Sequence, residues 1–302
     1  MARNKSLLTE KQRMYTQLVV YCATLGPLTA LLVFFYCIYI IRFNNNSASH
    51  KKSVFGPLVI LAYRTIKFHY PGFILACLMY YVLGRIRIFG TNSEVTGYIY
   101  YRLFLIFTIL VNLFVQVYQL TIAAVSVLKF IHSQNKSGSR ITRKTVNILI
   151  RCFVLLVILK DCGWYMYKLS LPSAWFVVKN EISPFDLFDI LYTIHHMIYQ
   201  FLIFIGMGFT FFTKPDPEIG LSERMIVKQT KTLGIAKLIM LIVAGAGLLL
   251  KFEVEDVLVL ICSIDLLLVP VIIEITEKPN KVPVGASCEE EKKKPIDSDS
   301  GF

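Results

Sequence analysis

Long apolar runs separated by short polar segments dominate the sequence. The longest lies between Arg102 and Lys129, where 26 residues pass without a Lys, Arg, His, Asp or Glu side chain. About 20 such residues suffice for a helix to cross a hydrocarbon core of about 30 Å, so this run predicts a tilted membrane-spanning helix.

Six further apolar runs complete a set of seven predicted spans. Residues 42–53, after the first span, predict a polar loop. Residues 55–67, interrupted by Arg64 and Lys67, predict an amphipathic helix that approaches the second span. The sixth span contains the small residues 244–247, which suit close helix packing. The predicted spans are residues 18–41, 68–84, 103–128, 146–169, 185–212, 233–250 and 257–275.

The predicted fold is all-α, a seven-transmembrane helix bundle like that of G-protein-coupled receptors. Of the 32 Lys and Arg residues, 21 fall in segments that face inward if the amino terminus is outside, and 10 fall in segments that then face outward. Positive charge accumulates on the cytoplasmic side, so this count predicts an external amino terminus. Residues 1–17 would form an extracellular tail, residues 18–275 the membrane domain and residues 276–302 a disordered cytoplasmic tail.

Composition agrees with a membrane protein. Hydrophobic residues make up 55% of the chain and charged residues 17%, which is too apolar for an ordinary soluble domain of this length. The net charge of +12 does not indicate nucleic-acid binding, because the basic residues lie in short connections between apolar runs. Six of the seven cysteines also lie in apolar runs, so no external disulfide framework is predicted.

Polar residues within the predicted spans recur at helical spacing. Such side chains are costly in lipid, so each polar face is predicted to point into the bundle. The third span contributes Asn112, Gln116 and Gln119, and the fifth contributes Asp189, Thr193, His196 and Gln200.

Charges near mid-depth are the most unusual feature of the spans. Lys160 and Asp161 lie in the fourth span and Asp265 in the seventh. Sequence neighbours on a helix point about 100° apart, so we expect Lys160 to pair with Asp265 rather than with Asp161. Trp164, one turn further on, would offer its ring to the Lys160 ammonium group. Both a packing network between these helices and direct ligand contact remain open for these charges.

Four stretches of the chain resemble the nematode serpentine chemoreceptors of class Z, the Srz family. They are FFYCIYIIRFNNN leading to FGPLVILAYRTIKFHY, LVNLFVQVYQLTIAAVSVLKF, LLVILKDCGWY and SIDLLLVPVIIEI. Lys160-Asp161 and the pair of Asp265 with Val269-Pro270 are the most specific pieces. The chain departs from the family at the inner end of the third span, where residues 128–131 read LKFI instead of the expected QRFF.

This resemblance implies a chemosensory receptor of the plasma membrane, in the cilium of a sensory neuron. It would bind a small molecule or a pheromone-like cue and act on a heterotrimeric G protein through its inner loops. A ligand-gated channel or a membrane transporter is the alternative. The charge count disfavours the channel, and the lack of internal repeats disfavours the transporter. The predicted ligand-binding residues are Asn112, Gln116, Gln119, Lys160, Asp161, His196, Gln200 and Asp265.

No enzyme, cofactor or metal site is predicted. His195 and His196 are adjacent and so face different ways on a helix, and the other histidines are scattered. The seventh span has no lysine that could form a retinal Schiff base. At the carboxyl terminus, the hydroxyl of Ser300 two residues before Phe302 fits the pattern that PDZ domains bind, which makes a PDZ protein a further candidate partner.

Overall fold

The computed structural model describes residues 2–85, 93–134, 141–170, 184–213, 221–249 and 254–277. Helices make up nearly all of these residues, and no strand occurs among them, which confirms the all-α fold. The elements are α1 (Ala2–Lys52), α2 (Gly56–Arg64), a π-helical segment (Thr65–His69), α3 (Tyr70–Arg85), α4 (Ser93–Gln134), α5 (Arg143–Ser170), α6 (Pro184–Phe212), α7 (Leu221–Leu249) and α8 (Val254–Thr276).

The predicted approach helix and the second span are a single helical run. No break separates α2 from α3, and the π-helical segment marks the place where the sequence predicts a boundary. Pro71 has no backbone N–H and therefore cannot donate to the Lys67 carbonyl, its usual α-helical acceptor. The Tyr36 hydroxyl of α1 donates to that carbonyl instead, at 3.0 Å. The irregular turn is thus stabilised by a neighbouring helix.

The proline of α8 is accommodated in the same way. Pro270 leaves the Leu266 carbonyl without its α-helical donor. The Tyr70 hydroxyl, which is buried at the start of α3, donates to this carbonyl at 2.7 Å. In both helices a tyrosine from another element therefore satisfies the carbonyl that a proline frees.

The predicted loop at residues 42–53 is wrong, because α1 continues as a helix to Lys52. Asn46 and His50 belong to this polar stretch and are almost completely buried. Their side chains bond to residues of α7 and of the chain after α8, and these tertiary contacts favour the helix over the loop that the composition indicates. At its other end, α1 begins at Ala2 and so includes most of the predicted amino-terminal tail.

Helix α4 lies at the centre of the bundle and packs against α3, α5 and α6, while α8 packs against α1 and α7. The α4–α6 pair approaches closely at Gly206, where a Cβ atom would lie only 2.8 Å from the Cβ of Ala123. Ser126 and Thr210 share a hydrogen bond of 2.7 Å across the same pair. The close packing predicted for the small residues 244–247 does not occur at Gly245. This residue is exposed, and a Cβ atom added there would have no neighbour within 4 Å.

The surface of the bundle is apolar and part of its interior is polar. Large apolar side chains such as Leu159 and Ile242 are exposed, whereas Gln119 and Gln229 are buried. This arrangement suits a lipid surround. Among the described residues, three helical stretches meet the length and composition of a membrane span by themselves, namely Ala23–Lys52, Tyr101–Gln134 and Leu191–Phe212.

Candidate functional site

One cluster of charges joins α4 to α5. The Lys160 ammonium lies 2.8 Å from Oδ1 of Asp161 and donates a hydrogen bond of 2.7 Å to Oε1 of Gln116. Gln116 also makes a long contact of 3.5 Å with Oδ2 of Asp161. The two sequence neighbours do neutralise each other, contrary to our expectation, because the flexible lysine side chain bridges the angle between them.

The aromatic partner of Lys160 also differs from the one expected from the sequence. Its ammonium lies 4.8 Å from the ring centroid of Tyr199 in α6. Trp164 packs against other rings of α6, 5.5 Å from Tyr192 and 5.3 Å from His195. The lysine of α5 is therefore held between α4 and α6.

A second ion pair joins α7 to α8. The Lys237 ammonium bonds to Oδ2 of Asp265, and both side chains are almost completely buried. Gln200 of α6 links to both charges, since its Oε1 accepts from Lys237 and its Nε2 donates to Oδ2 of Asp265 at 3.2 Å. Three helices are thus connected by one buried set of charged and amide groups.

The predicted pairing of Lys160 with Asp265 is therefore wrong. Lys237 occupies the place that we assigned to Lys160, although it stands only five residues into the predicted sixth span. A lysine so near a span end usually extends to the interface, so position alone gave no reason to place it inside. Its burial adds a second lysine to the interior of the bundle.

His196 extends the second cluster within α6. Its Nε2 lies 3.1 Å from Nε2 of Gln200 and 3.2 Å from Sγ of Cys262. Thr193, His196 and Gln200 are all buried, as their spacing predicts. Asp189, the fourth residue of that predicted face, has no described side chain.

The remaining predicted residues lie on α4. Asn112 is half-buried. Gln119 is buried, and its Nε2 has no hydrogen-bond partner among the described residues. Of the predicted ligand-binding residues, these two are the ones outside both ion-pair clusters.

The two clusters adjoin each other across α6. The Tyr199 hydroxyl is buried without a hydrogen-bond partner in the described part of the chain, and it interacts electrostatically with both Asp161 and Asp265. Two lysines and two aspartates give the combined set no net charge. We call this set the polar layer: Gln116, Lys160, Asp161, His196, Tyr199, Gln200, Lys237, Cys262 and Asp265.

A separate polar contact closes the end of the bundle that the sequence predicts to be cytoplasmic. Oε1 of Glu277 lies 2.9 Å from Nε2 of His50 and accepts a hydrogen bond of 2.7 Å from Asn46. Nδ1 of His50 lies 2.9 Å from Oγ of Ser222 in α7. Arg42 donates to the Glu277 backbone carbonyl at 3.1 Å. We call these five residues the inner contact.

Further polar contacts reinforce that end of the bundle. Tyr118 of α4 donates to Gln229 of α7, and Gln229 donates to Thr276 of α8 at 2.8 Å. Lys129 forms an ion pair with Glu223 between α4 and α7. Several of the helices that contribute to the polar layer are thus also connected to one another at the predicted inner end.

The comparison with protein families identifies the class of protein that this bundle represents. The family model described as "Serpentine type 7TM GPCR chemoreceptor Srz" matches residues 23–209, which is more than half of the chain. The protein therefore belongs to the Srz family of seven-transmembrane serpentine chemoreceptors, and it is a multi-pass membrane protein of a receptor family. Neither the curated proteins nor the solved structures gave a match.

Family membership confirms the seven-transmembrane class and the resemblance seen in the sequence. The matched range begins within α1, includes α2 to α5 and extends through most of α6, and it contains Gln116, Lys160 and His196. Lys237 and Asp265 lie beyond it. The ligand-binding role of the predicted residues stays a prediction, although most of them meet in the polar layer.

Proposed function

We propose that this receptor binds a small organic molecule at the polar layer and reports its binding to a heterotrimeric G protein at the predicted inner end. The observation that carries the proposal is a set of two ion pairs joined across α6. The Lys237–Asp265 pair is almost completely buried, whereas in the Lys160–Asp161 pair the Asp161 side chain is partly exposed. Charged groups inside a membrane bundle are costly, and they commonly mark the sites where such proteins bind or respond.

The polar layer offers hydrogen-bonding groups to a ligand. The Tyr199 hydroxyl and Oδ1 of Asp265 are buried and have no hydrogen-bond partner among the described residues. The same holds for Nε2 of Gln119, which is outside the layer but one turn from Gln116 on α4. A polar ligand that bonds to such groups would recover the free energy that their burial costs. Because the ion pairs are already neutral, the layer favours an uncharged or zwitterionic molecule over one with a large net charge.

The layer also gives binding a route to a change of conformation. Its side chains come from α4, α5, α6, α7 and α8, so a ligand that replaces one partner alters the forces between several helices. A ligand shifts a conformational equilibrium only by its difference in affinity for the two states. Ion pairs that exist in one helix arrangement and are broken in another would provide such a difference.

The inner contact would hold the receptor in its inactive arrangement. His50, Ser222 and Glu277 connect α1, α7 and the chain after α8 where a G protein would approach. Helix separation at this end would break these hydrogen bonds and expose a binding surface.

We further propose that the receptor lies in the plasma membrane of a sensory cilium, as the sequence resemblance implies. The proposed PDZ-binding residues 300–302 lie outside the described residues.

A cell assay that records G-protein dissociation and membrane current together tests this function against the channel alternative. The stimulus would be small-molecule fractions of nematode culture medium. We expect at least one fraction to cause saturable G-protein dissociation without a new current. Gln116→Leu, which removes the amide bound to Lys160, should abolish the response, whereas Gln134→Leu at the exposed end of the same helix should preserve it at equal surface density. A stimulus-dependent current without G-protein dissociation would contradict the proposal.

A further inference from the structure

Glu274 of α8 is a carboxyl group buried apart from the polar layer. The residue is 1% exposed, and neither of its carboxyl oxygens has a hydrogen-bond partner in the described part of the chain. An isolated carboxylate in a medium of low dielectric constant is very unfavourable unless a positive group compensates its charge. The groups around Glu274 therefore determine whether its carboxyl group can carry a charge.

Two further free oxygens belong to the same region. The Tyr39 hydroxyl of α1 is completely buried and also lacks a hydrogen-bond partner among the described residues. It interacts electrostatically with Glu274 and Glu277. Oε2 of Glu277 is likewise buried without a partner, although Oε1 of the same carboxyl takes part in the inner contact. These oxygens lie where α1 packs against α8.

We propose that Glu274 and Tyr39, together with the free oxygen of Glu277, bind a small monovalent cation, Na⁺ or K⁺. The four free atoms are all oxygens, which are the ligands that hard cations prefer. A single proton would satisfy one of them, whereas a coordinated cation would engage several at once. Among the described residues no three His, Cys, Asp or Glu side chains come together as metal ligands, so the donors proposed here are two carboxyl groups and one phenol.

The neighbouring basic side chains are directed to other atoms. Arg42 donates to the backbone carbonyl of Glu277. Lys67 lies 5.5 Å from the ring centroid of Tyr63 and 5.3 Å from that of Phe68. His50 contacts Oε1 of Glu277. None of these contacts involves a carboxylate oxygen of Glu274.

The position of the site gives the cation a consequence for conformation. Tyr39 belongs to α1, whereas Glu274 belongs to α8 and precedes Glu277 of the inner contact by three residues. A cation bound between the two helices would stabilise their packing next to the inner contact. It would therefore favour the closed arrangement of the inner end.

Thermal unfolding of the purified full-length receptor in lipid nanodiscs tests the proposal. Samples would contain NaCl, KCl or N-methylglucamine chloride at equal ionic strength and at several pH values. We expect NaCl or KCl to raise the unfolding temperature of the wild type by about 3 °C in a saturable manner, compared with N-methylglucamine chloride. The bulky organic cation should not fit among buried side chains.

Matched variants locate the effect. Glu274→Gln should abolish the dependence on cation and remain folded, because the neutral amide has nearly the same shape and needs no counter-charge. Tyr39→Phe should weaken the dependence and require about tenfold more salt for half of the effect, a loss typical of one removed hydroxyl ligand. Glu223→Gln, which changes a half-buried carboxyl paired with Lys129, should leave it intact.

Two results would overturn the cation site. One is a wild-type unfolding temperature that depends on pH, through Glu274, but not on the identity of the cation at any pH. A proton rather than a cation would then neutralise the carboxyl group. The other is an undiminished response to Na⁺ and K⁺ in Glu274→Gln, which would place the cation elsewhere.

Discussion

Lys237 of α7 and Asp265 of α8 form an ion pair inside the helix bundle, with Gln200 of α6 bonded to both. The pair connects the sixth and seventh spans of a receptor at a depth where an unpaired charge would be costly. This relationship yields a test of the fold and of the polar layer at once.

Lys237→Leu should sharply lower the amount of receptor at the cell surface, because Asp265 would remain buried without its partner at a cost of about 3–5 kcal/mol. The double variant Lys237→Leu with Asp265→Leu should recover a large part of the loss. Surface antibody labelling of an epitope-tagged receptor measures both.

The matched control combines Lys160→Leu with Asp265→Leu. These residues belong to different ion pairs, so their effects should accumulate and no recovery should occur. Recovery in this control, with none in the Lys237 and Asp265 double variant, would indicate that Asp265 pairs with Lys160 and not with Lys237.

The Tyr70 hydroxyl should matter because Pro270 leaves the Leu266 carbonyl free. Tyr70→Phe should destabilise the purified receptor by about 1 kcal/mol, the usual value of one buried hydrogen bond. In a Pro270→Ala background, the substituted residue supplies a backbone N–H donor to the Leu266 carbonyl, so the same tyrosine substitution should have a much smaller effect. Thermal or chemical unfolding of the four proteins measures this coupling, and equal losses in both backgrounds would contradict the explanation.

The close approach of α4 and α6 predicts a steric effect at Gly206. Gly206→Ala should lower thermal stability, since the new methyl group would lie 2.8 Å from the Cβ of Ala123 and the helices would have to move apart. Ala123→Gly should relieve part of the loss. Gly208→Ala is the control, because no atom lies within 4 Å of its added Cβ, and a similar loss there would point to a general effect of glycine replacement.

The sequence predicted those features that depend on one helix at a time. Spacing of three and four residues correctly placed Gln116, Gln119, His196 and Gln200 on buried faces. The fold class followed from apolar length and was confirmed by the family. Such patterns report which side of a helix avoids lipid, and they do so without knowledge of its neighbours.

The features that the sequence did not predict depend on contacts between helices. Whether Asp265 meets Lys160 or Lys237 is decided by which helices adjoin α8, and spacing within one helix contains no such information. Asn46 and His50 likewise belong to a polar stretch whose composition predicts a loop, yet bonds to Glu277 and Ser222 support it as a helix. Local composition and tertiary contact conflict there, and tertiary contact prevails.

The inner contact gives a prediction that requires no ligand. His50→Leu removes the hydrogen bonds to Ser222 and Glu277 but keeps an apolar side chain where the imidazole ring stacks on Phe43. The loss of contacts between α1, α7 and the chain after α8 should favour an open inner end. His132→Leu makes the same change at the inner end of α4, outside the inner contact.

Basal G-protein dissociation, recorded by resonance energy transfer at matched surface density, therefore tests the proposal that the inner contact closes a G-protein-coupled receptor. We expect several-fold higher basal dissociation for His50→Leu than for the wild type, with His132→Leu not exceeding the wild type. Normal surface density of His50→Leu with no rise in dissociation for any G-protein class would contradict this proposal.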